Sequence, residues 1–179
     1  MKKYWGGYGL LEVLVSLAVI SIGALGFAKA QISALQITTD AALRTSATIL
    51  LDDMAGRIQA NAGEAWQGLS SGYQTGAPTL NTNCLSTTGS ICTGNQMALH
   101  DLADWNALIA STFPATSNAV GIVCLDATPG NPAKACSPPG ANPNPVIFTV
   151  KIFWNSWKYR GTTTFDQSVV TIVEPPLQR

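Results

Sequence analysis

Residues 10–28 read LLEVLVSLAVISIGALGFA, and this stretch decides the fold of the N-terminal part of the chain. It contains one charged residue, Glu12. As an α-helix it is roughly 28 Å long, close to the thickness of the hydrocarbon core of a bilayer. Lys2 and Lys3 precede the stretch, and the next basic residue is Lys29. Because basic residues stay on the cytoplasmic side, we expect one spanning helix whose N-terminus is cytoplasmic.

A secretory signal peptide also has a basic start followed by an apolar run. This run is long for a signal peptide, and no helix-breaking residue with a small-x-small cleavage site clearly ends it. It also contains a carboxylate, which is costly in lipid. Two interpretations of Glu12 remain open from the residues alone: a functional ionisable group inside the membrane, or a side chain that snorkels to the interface.

The segment Gly6–Val15, GGYGLLEVLV, resembles the class III leader of type IV pilins and pseudopilins. That leader is short and basic, ends in glycine, and is followed by an aromatic residue, three mostly apolar residues and a glutamate. The resemblance implies a leader peptide of residues 1–7, cleavage between Gly7 and Tyr8, and N-methylation of Tyr8 by the prepilin peptidase. Gly9 departs from the family pattern, which usually has Thr at the second mature position.

The same resemblance implies a role for Glu12, which becomes the fifth mature residue. In the family this carboxylate is thought to meet the N-terminal amine of a neighbouring subunit and to fix the register of adjacent helices. A buried carboxylate gains stability when it meets a cation, so the role is physically reasonable.

A helical pattern continues beyond the apolar stretch, and no proline occurs before Pro78. We expect a helix from about Gly9 to about Asn61, near 80 Å long by rise per residue. Asp40 with Arg44 and Asp53 with Arg57 have the favoured acid-before-base spacing. The apolar face predicted for its second half consists of Ile32, Leu35, Ala42, Ile49, Leu50, Met54 and Ile58. A coiled-coil stalk is the alternative, but the heptad is irregular.

The rest of the chain is long enough for one small core. We expect a long loop with possible short strands over Trp66–Gly94, a helix over Met97–Phe113 and a proline-rich loop over Thr128–Pro145. Strands are predicted at Val120–Leu125, Val146–Trp154 and Phe165–Val173, with Asn155–Thr164 as a hairpin connection. Alternation in the second strand places Val146, Phe148, Val150, Ile152 and Trp154 on one face.

These elements predict an α+β fold of the type IV pilin-like lollipop kind, with a long N-terminal helix packed on a mainly antiparallel sheet. The expected divisions are a leader at 1–7, a transmembrane or filament-core half of the helix at 8–28, its amphipathic half at 29–62, and a globular domain at 63–179.

The four cysteines, Cys84, Cys92, Cys124 and Cys136, all follow the apolar stretch. An even number on an oxidising side favours two disulfides, and three connectivities are possible. We prefer Cys84–Cys92 with Cys124–Cys136, because each bond would close a loop rich in glycine or proline. A zinc site is disfavoured, since there is no C-x-x-C and the one histidine is His100.

Charged residues make up 11% of the chain, with ten basic and ten acidic groups. This low, balanced charge argues against a disordered chain and against a dedicated nucleic-acid binder. Catalytic motifs such as H-E-x-x-H and G-x-S-x-G do not occur. His100 is interpreted as a solvated residue near a helix start, and Asp52–Asp53 as part of a solvated helix face. We therefore predict no enzyme activity and no cofactor.

Basic and aromatic residues alternate around the second predicted strand, a pattern that can bind nucleic acid. We interpret it instead as cross-strand packing in a hairpin, because three charges in a neutral protein are few. The residues are Lys151, Lys158 and Arg160 among Trp154, Trp157 and Tyr159.

Residues 51–61, LDDMAGRIQAN, resemble the D-M-A-x-R-I-x-A-N segment of PilV-like minor pilins. This resemblance implies a structural subunit that joins other minor pilins and the major pilin, primes pilus assembly in the bacterial inner membrane and caps the filament tip. Its globular domain would be periplasmic and then extracellular. Two alternatives remain: a minor pseudopilin of a type II secretion system, and a filament-borne adhesin or DNA-binding pilin.

Overall fold

The structure of the protein is a computed structural model, and it describes residues 9–75, 78–81, 84, 92–131, 135–137, 139–140, 145–159 and 165–176. The chain divides into two compact units, Met1–Ala41 and Ala42–Arg179. Helix α1, Leu10–Ala60, begins in the first unit and ends in the second. These bounds confirm the predicted helix to within one residue at each end.

Helix α1 forms because its sequence contains no proline and its isolated polar groups are satisfied locally. The hydroxyls of Ser16 and Ser21 donate to carbonyl oxygens three and four residues back, at 2.9 and 2.7 Å. The helix ends at Ala60, and the N–H of the next residue, Asn61, still donates to the carbonyl of Arg57 at 3.1 Å. In the first unit the described part of this helix is almost entirely exposed.

The described residues of the second unit form three further α-helices. They are α2 at Ala62–Ala65, α3 at Gly72–Thr75 and α4 at Gly94–Thr112. Short 3-10 turns occur at Gly68–Ser70, Ala115–Ser117 and Trp157–Tyr159. Helix α4 starts with a capping box in which Thr93 Oγ1 accepts from Gln96 N and Gln96 Oε1 accepts from Thr93 N. The prediction placed this start at Met97 because it overlooked the T-x-x-Q signal.

In the described part of the chain, three antiparallel strands form one sheet in the order β1–β2–β3. They are β1 at Val120–Leu125, β2 at Phe148–Trp154 and β3 at Gln167–Val173. In register, Val150 faces Val123 on one side and Thr171 on the other. The predicted α+β architecture, a long N-terminal helix with a small antiparallel sheet, is confirmed.

One expectation about local structure was wrong for the described residues. The described residues between Trp66 and Gly94 contain short helical turns where short strands were considered. Every residue of β2 is buried, and the residues predicted to share one face, from Val146 to Trp154, all belong to the main core. Side chains at 148, 150, 152 and 154 point into the main core, whereas Thr149, Lys151 and Phe153 are buried on the opposite, outer face of the sheet.

The main core lies between the second half of α1, helix α4 and the inner face of the sheet. The buried stripe of α1 consists of Leu43, Ala47, Leu50, Leu51, Met54 and Ile58. Of the predicted face, Leu50, Met54 and Ile58 are confirmed, but Ile32, Leu35, Ala42 and Ile49 are exposed. Periodicity alone could not fix the phase of this stripe, because apolar residues occur all around the helix.

Candidate functional site

The exposed apolar part of α1 is the first candidate surface. Its most apolar window has a mean hydropathy of 2.3, and none of that window is buried. By length and composition the helix can cross a membrane. Such an exposed stripe on one molecule marks a surface that contacts lipid or protein. The large exposed side chains are Leu10, Leu11, Val13, Leu14, Val15, Leu17, Val19, Ile20, Ile22, Leu25, Phe27, Ile32, Leu35 and Ile37.

Glu12 lies in the first turn of α1. The carbonyl oxygen of Gly9 accepts from the backbone N–H groups of Glu12 and Val13, at 2.9 and 3.4 Å, which makes Gly9 the residue that starts the helix. A carboxylate in this turn is favoured by the helix dipole. Within the described residues, none donates a hydrogen bond to this carboxylate, so it is available to a cation. Gly7 and Tyr8, the predicted cleavage and methylation residues, lie outside the described residues.

A charged cluster around Arg57 joins the end of α1 to α4. Arg57 contacts Asp53 at 2.9 Å, Asp104 at 2.7 Å and Asp101 at 3.4 Å. Burial disfavours the charged guanidinium, but hydrogen bonds and the charges of Asp104 and Asp53 outweigh it and raise the pKa of Arg57. The predicted Asp53–Arg57 pair is thus present. Arg44 donates to Gln167 Oε1 on β3 at 2.9 Å.

Tyr73 extends this cluster into the core. Its O–H donates to Asp101 Oδ2 at 2.8 Å, and Asn61 Nδ2 donates to its oxygen at 3.3 Å. Burial raises the pKa of Tyr73 far above its ordinary value, so the phenol remains a donor. A cavity of about 340 Å³ adjoins the cluster, lined by Arg57, Ala60, Asn61, Cys92, Gly94, Met97 and Asp101. Its charged lining groups already bond to each other, so we assign them to holding the helices together.

Lys151 and Asp126 form an ion pair that is completely buried on the outer face of the sheet. Lys151 Nζ lies 2.7 Å from Asp126 Oδ2, and neither side chain is exposed. Asp126 Oδ1 also accepts from Thr128 and Ser137. Burial disfavours ionised Asp126, but these bonds and Lys151 together lower its pKa. Lys151 therefore cannot bind a phosphate, which removes one of the three basic residues considered for nucleic-acid binding; Arg160 lies outside the described residues.

The four cysteines form two disulfides, Cys84–Cys92 and Cys124–Cys136, the pairing preferred from the sequence. The second bond joins β1 to the segment that follows it. Together with the Asp126–Lys151 pair, it holds this segment on the outer face of the sheet. The backbone N–H of Ala127 also donates to the carbonyl of Ser137 at 2.7 Å. No thiol remains free among these cysteines.

Two smaller site predictions have different outcomes. His100 is not solvated: it is buried in α4, and its Nδ1 accepts from the backbone N–H of Asn81 at 3.1 Å. Asp52 and Asp53 are both exposed on α1, as expected for a solvated face. The sequence offered no signal for the Asp126–Lys151 pair, whose partners are 25 residues apart.

The comparisons with known proteins concern the middle of the chain. Residues 30–103, which cover the second half of α1 and the first part of α4, match the Tt1218-like family, described as type IV pilin Tt1218. No curated protein and no solved structure matches the chain. An exposed apolar helix followed by a segment that matches a type IV pilin family, in an α+β fold, supports the type IV pilin family for this protein.

Proposed function

We propose that the protein is a minor pilin of the PilV-like kind, a structural subunit that acts by assembly and not by catalysis. The single observation that carries the proposal is the continuity of helix α1. Its first part exposes apolar side chains on all sides, and its second part lies in the segment 30–103 that matches type IV pilins. A helix of this composition is stable in lipid or among other such helices.

Processing is the first step of the proposed function. The prepilin peptidase removes residues 1–7, cleaves between Gly7 and Tyr8 and methylates the new N-terminus of Tyr8. Residues 8–28 then form the transmembrane and filament-core half of the helix, 29–62 its amphipathic half, and 63–179 the globular domain. The subunit crosses the inner membrane once, with a cytoplasmic N-terminus and a periplasmic domain.

Assembly is the second step. The apolar helix holds the subunit in the membrane and then packs among the helices of neighbouring subunits. Glu12 carries the one charge between Leu10 and Ala28, and its carboxylate is exposed. The N-terminal amine of a neighbouring subunit neutralises it, and this contact fixes the register of adjacent helices. The partners are other minor pilins and the major pilin, in a complex that primes assembly and caps the tip.

Mass spectrometry of the mature N-terminus tests the proposal directly. We expect a chain that begins with N-methylated Tyr8. A retained Met1, or cleavage near residues 28–30, would contradict it.

Deletion of the gene that encodes this protein distinguishes a role in the type IV pilus from a role in a type II secretion system. We expect loss or strong reduction of surface pili with normal protein secretion. The reverse result would assign the chain to a type II secretion system.

A further inference from the structure

Strand β3 is an edge of the sheet. Among the described residues it pairs with β2 alone. The other side of β3 therefore presents a row of backbone N–H and C=O groups. Such a row is a template to which an extended segment of another chain can add.

The sequence of β3, QSVVTIV, contains none of the features that usually protect a sheet edge. It has no charged residue, no proline and no glycine, and it is rich in β-branched residues. Natural edge strands are commonly protected by Lys, Pro, bulges or a covering segment. Ile172, near the end of the strand, is 52% exposed. An uncharged, β-branched edge of this kind favours pairing.

Strand β1, at the opposite edge of the sheet, has a backbone group that is already bonded to a helix of the same chain. On β1 the backbone N–H of Leu125, which points away from β2, donates to Gln74 Oε1 of α3 at 2.6 Å. Helix α3 therefore engages an outward backbone group of the β1 edge, whereas none of the described residues does so for β3.

Charges at the ends of β3 argue against a second copy of this chain as that molecule. Asp166 precedes the strand and Glu174 follows it. Burial disfavours the Asp166 charge, but hydrogen bonds from Ser156 and Gln167 outweigh it and lower the pKa of Asp166, so it stays ionised. An antiparallel second copy would place Asp166 opposite Glu174, and a parallel one would place each acid opposite itself. Like charges in opposite positions destabilise a strand pair.

We infer that β3 is a docking edge for an extended strand of a different pilus subunit. That strand has β-branched apolar residues at its centre and a basic residue at one or both ends, where it meets Asp166 or Glu174. The inference rests on the proposed function and specifies how the globular domain selects its neighbour.

Hydrogen exchange measured by mass spectrometry tests the inference. The full chain in detergent is compared alone and in the complex that co-purifies with it from its own membranes. Amides on the free side of an edge strand alternate, so about half of those in 167–173 should exchange at least tenfold more slowly in the complex. Unchanged exchange in this peptide would overturn the inference.

Two variants sharpen the test. Ile172→Lys places a charge on the edge at an exposed position, and we expect it to abolish the added protection while the melting temperature stays within a few degrees. Leu108→Lys, at a partly exposed position of α4, is the matched control and should keep the protection. Equal protection in both variants would contradict an edge contact.

The failures of the two proposals are distinguishable. Protection that appears in the purified chain alone and rises with its concentration would identify a second copy as the occupant and overturn the inference. Absence of an epitope-tagged chain from sheared pili would instead overturn the proposed function. Presence in pili with unchanged exchange at 167–173 would leave the proposed function intact and overturn the inference alone.

Discussion

The indole Nε1 of Trp105 lies 2.8 Å from the backbone carbonyl oxygen of Leu50, in the second half of helix α1. This hydrogen bond is buried and links residues 55 positions apart. The same indole ring lies against the backbone of Gly121 in β1. Trp105 therefore contacts the long helix and the sheet at once, and it fixes the distance between them within the second unit.

Replacement of Trp105 tests this central contact. We expect Trp105→Phe to lower the free energy of unfolding by about 1–3 kcal/mol, because it removes the hydrogen bond and part of the ring. Trp157→Phe, at a residue that is 53% exposed, is the control and should stay within about 0.5 kcal/mol. Urea unfolding of the full chain in detergent, followed by circular dichroism, measures both. Equal effects would contradict a special role of Trp105.

The ring of Trp105 can approach β1 closely because Gly121 has no side chain. A Cβ atom on Gly121 would lie 2.3 Å from Cζ3 of Trp105 and 2.5 Å from Cδ1 of Ile109. We expect Gly121→Ala to destabilise the fold by about 1–3 kcal/mol through overpacking. Gly56→Ala, in exposed helix with open space around it, should stabilise the fold by up to about 1 kcal/mol. Thermal melts of both variants give the comparison, and a stable Gly121→Ala would show that Trp105 can move.

Replacement of Asp126 and replacement of Lys151 should lower the free energy of unfolding by different amounts. Asp126→Asn leaves the Lys151 charge buried without a carboxylate, and we expect it to cost about 3–5 kcal/mol. Lys151→Met replaces the buried stem with an apolar one of similar length. It leaves Asp126 with hydrogen bonds from Thr128 and Ser137, so the loss should be smaller. Urea unfolding ranks the two, and a larger loss for Lys151→Met would contradict this order.

The same pair predicts a pH dependence. The folded-state pKa of Asp126 lies below its ordinary value of 3.8, so the unfolded chain binds a proton more readily. The stabilisation is complete above about pH 4 and is lost as the pH falls through the lower folded pKa. Melting temperatures between pH 6 and pH 3 should therefore fall more steeply for the native chain than for Asp126→Asn. Parallel curves would exclude Asp126 as a source of the dependence.

Glu12 is predicted to act in assembly and not in membrane insertion. We expect Glu12→Leu to fractionate with membranes at the native level and to be incorporated into pili at least tenfold less, since the register contact is lost. Ser16→Ala is the control, because its hydroxyl already bonds within the helix and its loss leaves no unpaired group. Immunoblots of membranes and of sheared pili measure both steps. Normal incorporation of Glu12→Leu would refute the register role.

The local elements of the fold could be predicted from the sequence because their signals are local. The apolar stretch from Leu10, the absence of proline before Pro78 and the alternation of apolar residues in β2 each act on neighbouring residues. Helix α1 and strand β1 consequently have nearly the predicted bounds.

Side-chain environments could not be predicted, since they depend on contacts distant in sequence. Lys151 was expected to pack across a hairpin, but it is buried in an ion pair with Asp126, which follows β1. His100 was expected in solvent, but it is buried and accepts a hydrogen bond from the backbone N–H of Asn81. The buried face of α1 was predicted only in part for a related reason. Leu43 and Ile49 are both strongly apolar, and the position of the sheet and α4 decides which of them is buried.

The layer over the outer face of β2 contains one covalent bond and one ion pair where a larger domain would place apolar side chains. Apolar contacts form in any aqueous compartment, but a disulfide requires an oxidant. In a compartment that keeps thiols reduced, the disulfide between Cys124 and Cys136 does not form, and water reaches Lys151 more easily. The globular part of the chain therefore completes this layer only where an oxidant is present, so the redox state of the compartment decides when the second unit reaches its final structure.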